Sequence, residues 1–108
     1  MSNLARIIVI GTPLVDEKLM RYINVYLTKL GVGTFKRVDD SADGGRPFVE
    51  DVWMGCFNYL PLEEMLKQFL RHTQCELDFV IHREHDDRPW MCSINKEYMP
   101  VIPKETGI

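Results

Sequence analysis

The chain has 108 residues, of which 45% are hydrophobic and 27% are charged, and its formal net charge is −3 at pH 7. This composition is typical of one globular domain. It excludes a second domain within these residues, extensive disorder and a membrane span of about 18 or more apolar residues. Residues 1–37 hold six Lys or Arg and two Asp or Glu, whereas residues 38–108 hold seven and fourteen. Because Lys and Arg form no cluster, the sequence argues against direct nucleic-acid binding. The acidic second half favours a protein partner with a basic surface, although the excess charge could instead serve solubility alone.

The three cysteines, Cys56, Cys75 and Cys92, are an odd number at wide spacing, without a C-x-x-C pair. This spacing predicts neither a disulfide framework nor a zinc site. Free thiols suit a reducing compartment, and the N-terminal residues lack the long apolar core of a signal peptide. We therefore expect a cytoplasmic protein with no metal or other cofactor and no membrane partner.

The first third of the chain predicts a strand followed by a helix. Residues 4–10 are a β-branched run, which is typical of a strand buried on both faces. A helix over 13–30 is predicted next, because Thr12 and Pro13 suit its first turn and Gly31 suits its end. The apolar stripe that we expect to face the core consists of Leu19, Ile23, Leu27 and Leu30, widened by Met20 and Tyr26.

The middle of the chain predicts a hairpin and a second helix. Residues 33–38 suit a strand with basic side chains, and residues 48–57 suit its antiparallel partner, with a polar, glycine-rich turn between them. Gly55 indicates a bulge or a close backbone approach within the second strand. Pro61 begins a second amphipathic helix, whose apolar residues recur at helical spacing: Leu62, Met65, Leu66, Phe69 and Leu70.

The last third of the chain predicts two more strands. Residues 75–84 alternate between a core face and a mostly charged face, and the expected core residues are Leu77, Phe79 and Ile81. A turn over 85–88 leads to a strand over 89–95, in which alternate residues again share a side. The remaining residues, 97–108, are expected to form an extended tail.

The predicted order of elements is β-α-β-β-α-β with an extra C-terminal strand. This order is that of a ferredoxin-like α+β sandwich, in which two helices cover one face of an antiparallel sheet. We therefore expect a single α+β domain over residues 1–96 and an extended C-terminal tail over residues 97–108. Because many unrelated functions share this fold, the topology contributes little to the functional argument.

The candidate functional residues are acidic and aromatic. Residues 82–87 hold two histidines and three carboxylates, but H-x-x-H spacing is weak evidence for a metal site, so a solvated hairpin tip or a contact patch is preferred. Large aromatic side chains flanked by acids are typical of protein-binding hot spots, although the tryptophans could instead complete the core. The residues predicted to contact a partner are Asp39, Asp40, Trp53, Glu84, Asp86, Asp87 and Trp90.

These features favour a small, acidic, non-enzymatic protein–protein interaction module. Its expected mode of action is stoichiometric inhibition of a basic, nucleic-acid-binding partner, as by an immunity protein or a phage-encoded blocker of a defence complex. The alternative is a small homodimeric enzyme, or a ligand-binding or metal-binding protein, with a site on the open sheet face around His82, Glu84 and Cys92. A third hypothesis is a structural module that self-associates through Ile8, Ile10 and Val80 on an uncovered sheet face.

Overall fold

The computed structural model describes residues 2–11, 16–38, 51–95 and 100–104. Within these residues the elements are β1 (Leu4–Gly11), α1 (Glu17–Leu30), β2 (Lys36–Arg37), β3 (Asp51–Asn58), α2 (Leu62–His72), β4 (Leu77–Arg83) and β5 (Trp90–Ile94). The strands form one antiparallel sheet in the order β2-β3-β1-β4-β5. Since β3 lies between β1 and β2, and β1 between β3 and β4, the first four strands have the split β-α-β layout of the ferredoxin-like fold. The predicted fold, with β5 as the extra strand beside β4, is confirmed.

Both helices pack on one face of the sheet. One cluster of buried side chains joins the two helices to alternate residues of β1 and β4, and it consists of Ile7, Val9, Leu19, Met20, Ile23, Leu27, Phe35, Phe57, Met65, Leu66, Phe69, Leu77, Phe79, Ile81 and Ile94. Four phenylalanines meet edge to face through its centre, with ring centroids 4.8 to 5.8 Å apart. This geometry adds to the stabilisation from apolar burial.

Helix α1 begins later than the predicted residue 13 and ends at the predicted residue. Its N-cap is Asp16, whose side chain accepts a hydrogen bond from the backbone N–H of Lys18 at 2.9 Å, and residues 12–15 lie outside the described part of the chain. The predicted stop at Gly31 is confirmed by its left-handed φ of 71°. Leu30 is 45% exposed, so its place in the buried stripe was wrong, because the helix ends at this residue and the chain turns away.

The region between α1 and β3 is held by a side chain. The amide of Asn24 accepts from the backbone N–H of Phe35 at 2.8 Å and donates to its carbonyl at 3.0 Å. Other residues of this segment form hydrogen bonds to β3. The Val38 N–H, for example, donates to the Val52 carbonyl. Since backbone groups alternate in direction along a strand, Asn24 occupies the groups of Phe35 that point away from the sheet. Residues 39–50, with the predicted turn, lie outside the described ranges.

Gly55 is required by a close approach, one of the two predicted possibilities. A Cβ atom at this position would lie 2.4 Å from the ring of Phe57 and 3.0 Å from the carbonyl oxygen of Thr34. The Phe57 ring therefore lies across Gly55 on the helix side of the sheet, and any larger residue would displace it.

The second half of the domain follows the predicted alternation. Alternate residues of β4 enter the core, and Trp90, Cys92 and Ile94 of β5 share that side of the sheet. In the C-terminal region Pro100 is buried, and Ile102 packs against the core cluster; the extended tail over 97–108 stays a prediction. No helix among the described residues is long and apolar enough to cross a membrane.

Candidate functional site

The face of the sheet opposite the helices, here called the open face, is not covered by any described element. The strand register aligns its side chains in rows that run across the strands. The central row, which we name the apolar row, consists of Met54, Ile8, Val80 and Met91 on four adjacent strands, with Lys36 at its β2 end. Met54 is 48% exposed and Met91 is 72% exposed. Because this face is uncovered, the prediction that β1 is buried on both faces was wrong.

Two further rows flank the apolar row, and they differ in charge. On one side lies the Arg6 row, which consists of Cys56, Arg6 and His82 on β3, β1 and β4. On the other side lies the Asp78 row, which consists of Val52, Ile10, Asp78 and Ser93 on β3, β1, β4 and β5. Ser93 Oγ donates a short hydrogen bond to Asp78 Oδ1. The open face thus has an apolar centre, a cationic side and an anionic side.

A groove of about 790 Å³ lies over the open face. The described residues of its lining combine part of the apolar row with Arg6, Lys36, His82 and Pro89, and none of these described residues carries a carboxylate. The groove is a shallow depression along the sheet. Its volume falls within the range of about 300–1,000 Å³ that small-molecule sites occupy.

Arg6 fixes the tautomer of His82. Arg6 Nη2 lies 3.0 Å from His82 Nδ1, and His82 Nε2 lies 3.0 Å from the carbonyl oxygen of Asp86. Because a guanidinium can only donate and a carbonyl can only accept, Nδ1 is the acceptor and Nε2 holds the proton. His82 thus accepts a hydrogen bond from Arg6 and donates one to the Asp86 carbonyl, and it links the open face to the turn after β4.

Asp86, one of the predicted partner residues, is an internal structural group. Its side chain is 5% exposed and that of Arg83 is 11% exposed. Arg83 Nε donates to Asp86 Oδ2 at 2.9 Å, Nη2 donates to Oδ1 at 3.0 Å, and the backbone N–H donates to Oδ2 at 2.9 Å. Little of the Asp86 charge reaches the surface, because Arg83 neutralises it at contact distance.

The surroundings of Asp86 lower the pKa of its carboxyl group. Burial raises the pKa of the Asp86 carboxyl, but the hydrogen bonds and the positive charge of Arg83 outweigh it, so the pKa lies below its ordinary value. The nearby Trp90 indole N–H also lowers this pKa, although its nitrogen makes no hydrogen bond of good geometry to a described residue. The Arg83 guanidinium lies 5.4 Å from the centre of the Trp90 ring, which is within the range of a cation–π contact.

The five predicted partner residues that the structure describes do not form one surface. Trp53 and Trp90 lie on the helix side of the sheet, where both are partly buried against the core. This position agrees with the alternative in which the tryptophans complete the core. Glu84 and Asp87 are exposed in the turn, and Ser2 Oγ donates to the Glu84 carboxylate at 2.7 Å. Asp39 and Asp40 lie outside the described residues. Partner contact by these residues stays a prediction.

One of the three residues of the predicted enzyme or ligand site, Cys92, does not lie on the open face. Cys92 lies on the helix side of β5, away from His82 and Glu84, because its register partner is the core residue Phe79. Burial and the negative charge of Asp78 raise the pKa of the Cys92 thiol to about 11, so it stays protonated at neutral pH.

The remaining reactive groups of the open face are also separated. Cys56 and His82 have β1 between them, and two strand spacings of about 4.8 Å exceed hydrogen-bond reach. Over the described ranges, no group of three or more His, Cys, Asp or Glu side chains could hold a metal ion.

Ile8 and Val80 of the apolar row were predicted to lie on an uncovered sheet face, but Met54, Met91 and Lys36 were not singled out, since only the strand register aligns them with that pair. One local signal was available, namely the alternation in β3 that places Met54 on the side of the strand opposite Trp53 and Phe57. Comparisons of the chain with protein-family models, curated proteins and solved structures found no match.

Proposed function

We propose that this protein is a small, non-enzymatic protein–protein interaction module that binds another protein chain through its open face. The observation that carries the proposal is the exposed apolar row. Antiparallel sheets with one solvated face usually present polar residues there, whereas this face presents apolar residues on four adjacent strands. A contiguous exposed apolar surface with a polar rim is typical of an interaction site.

The side chains of the apolar row suit protein recognition. Met54 and Met91 are unbranched and polarisable, so they adapt to the shape of a partner surface. Arg6 and Lys36 border the apolar row, and such rim charges set specificity and association rate more than affinity. They also disfavour a strongly basic partner on this face. Stoichiometric inhibition of a basic partner would therefore depend on the exposed acids of the 84–88 turn.

Affinity capture with matched variants tests this proposal. The tagged protein, the Met54→Glu/Met91→Glu variant and the Val25→Glu variant are each used to capture proteins from a lysate of the cells that make the chain. Val25 is a suitable control because it is 55% exposed on α1, away from the open face. We expect the wild type and Val25→Glu to retain the same protein in a fixed ratio, and the double variant to lose about nine-tenths or more of it.

The melting temperatures of the three proteins should agree within a few degrees, since the substituted side chains are exposed. Undiminished capture by a folded Met54→Glu/Met91→Glu variant would exclude the open face as the binding surface.

A second candidate function is the binding of a small apolar anion, which is favoured by the volume of the groove and by the lack of carboxylates among the described residues that line it. The probe is 1-anilinonaphthalene-8-sulfonate, whose fluorescence rises in apolar sites. We expect saturable binding of one dye per chain that weakens about tenfold in Arg6→Ala and not in Lys67→Ala, on α2. Equal binding by both variants would refute this candidate.

A further inference from the structure

We infer that the open face binds the open face of a second copy of this chain, in a two-fold symmetric dimer. The inference rests on the proposed function, because it names the protein that covers the same surface. The order of charges across the three rows favours a second copy of the chain as the partner and determines its orientation.

The charged rows lie on opposite sides of the apolar row. Arg6 and His82 are two residues from the apolar row in one strand direction, and Asp78 is two residues from it in the other. Two residues along a strand span about 6.8 Å, so the Arg6 row and the Asp78 row lie about 14 Å apart. A second surface with the same spacing and the opposite order of charges would match this face, and a reversed copy of the face has that property.

A two-fold axis along the apolar row produces this match. The rotation turns a second copy over and reverses the direction of its strands, while β4 still faces β4 and β1 faces β1. The apolar row then meets its own equivalent, and the Arg6 row meets the Asp78 row of the second copy. His82 faces Asp78 of the second copy directly, and Arg6 reaches that carboxylate from the neighbouring strand. The contact occurs twice, as in every isologous interface.

The alternative axis is disfavoured by charge. A two-fold axis parallel to the strands would place the Arg6 row against itself and the Asp78 row against itself, and like charges in contact oppose association. With the axis along the apolar row, Lys36 is the one charged side chain among the described residues of the three rows that meets its own equivalent. It is exposed and lies on the edge strand β2. Two sheets stacked in this way pack about 10 Å apart with their strands within about 30° of each other.

Sedimentation equilibrium of the purified full chain tests the dimer, and charge reversal tests its geometry. Asp78→Lys would place a lysine against Arg6 of the second copy, and Arg6→Glu would place a glutamate against Asp78 of the second copy. We expect the wild type to be dimeric and each variant to raise the dissociation constant about tenfold or more. Glu63→Lys and Arg71→Glu, which reverse exposed charges on α2, serve as matched controls and should dimerise like the wild type.

An equimolar mixture of Asp78→Lys and Arg6→Glu provides the decisive measurement. In the mixed dimer one contact pairs the introduced lysine with the introduced glutamate and the other keeps the wild-type pair, so the mixture should dimerise about as tightly as the wild type. A structural defect in either variant could not be repaired by mixing. A monomeric wild type, unaffected variants or an unrestored mixture would each overturn the inference.

The two proposals fail separately. If the wild type is monomeric but Met54→Glu/Met91→Glu loses a captured protein, the open face binds a different chain and the proposed function stands. If capture is also unaffected, both proposals are wrong.

Discussion

Replacement of Asp86 by Asn should destabilise the protein through one buried ion pair. The substitution keeps the size of the side chain but removes its charge, and it leaves the Arg83 guanidinium, 11% exposed, without a carboxylate. Removing one partner of a fully buried pair costs about 3–5 kcal/mol. Because Arg83 keeps its contact with the Trp90 ring at 5.4 Å, we expect a loss of about 2–4 kcal/mol in the free energy of unfolding.

The destabilisation should depend on pH with a definite sign. The pKa of folded Asp86 is lowered, so the pair contributes fully above the unfolded pKa near 3.9, and the contribution is lost as the pH falls through the folded pKa. The stability gap between the wild type and Asp86→Asn should therefore be constant between about pH 6 and 8 and narrow below about pH 4.

Urea denaturation at several pH values measures this gap. The control is Glu76→Gln, in which an exposed carboxylate just before β4 is replaced, with an expected change within about 0.5 kcal/mol. A loss below about 1 kcal/mol in Asp86→Asn at pH 7 would contradict the buried pair. A gap of the same size at pH 3 and pH 7 would show that the charge of Asp86 contributes nothing.

Three further experiments test the packing. Gly55→Ala should cost about 1–3 kcal/mol in urea denaturation, because the added methyl group displaces the ring above it, and an unchanged midpoint would place that ring elsewhere. Leu27→Ala should cost about 2–5 kcal/mol, since Leu27 is 0% exposed, whereas Leu30→Ala should cost less than about 1 kcal/mol; equal costs would mean that the helix faces are misassigned. At pH 8 a thiol reagent should modify exposed Cys56 well before Cys92, whose pKa is raised to about 11, and equal rates would refute the burial of Cys92.

Local periodicity in the sequence was enough to predict the elements and the helix side of the sheet. The alternation of Leu77, Phe79 and Ile81 and the stripe of Leu19, Ile23 and Leu27 each depend on residues a few positions apart. Such patterns fix which side of an element is buried without reference to the rest of the chain. These side chains form the core cluster of the structure.

The open face was predicted only in part: Ile8, Ile10 and Val80 were expected on an uncovered face, but the order of side chains across the strands could not be predicted from local patterns. Val80 is beside Ile8 only because β4 pairs with β1 in one particular register, and a shift by one residue would bring a different side to the surface. Likewise, the run of charge after β4 indicates an exposed turn, but the pairing of Asp86 with Arg83 depends on how that turn closes. Register and turn closure are set by contacts across the whole domain, so no local pattern specifies them.

The amide of Asn24 has a consequence for how the protein can assemble. Outward-facing backbone groups on an edge strand are a template on which another chain can add a strand, and repeated addition leads to fibrils. At the β2 edge those groups of Phe35 are already occupied by the Asn24 side chain. Strand addition there would first have to break both hydrogen bonds, which hinders open-ended polymerisation from this edge. In a face-to-face dimer the two open faces cover each other, so neither is left to bind a third chain. Assembly through this face therefore ends at the dimer.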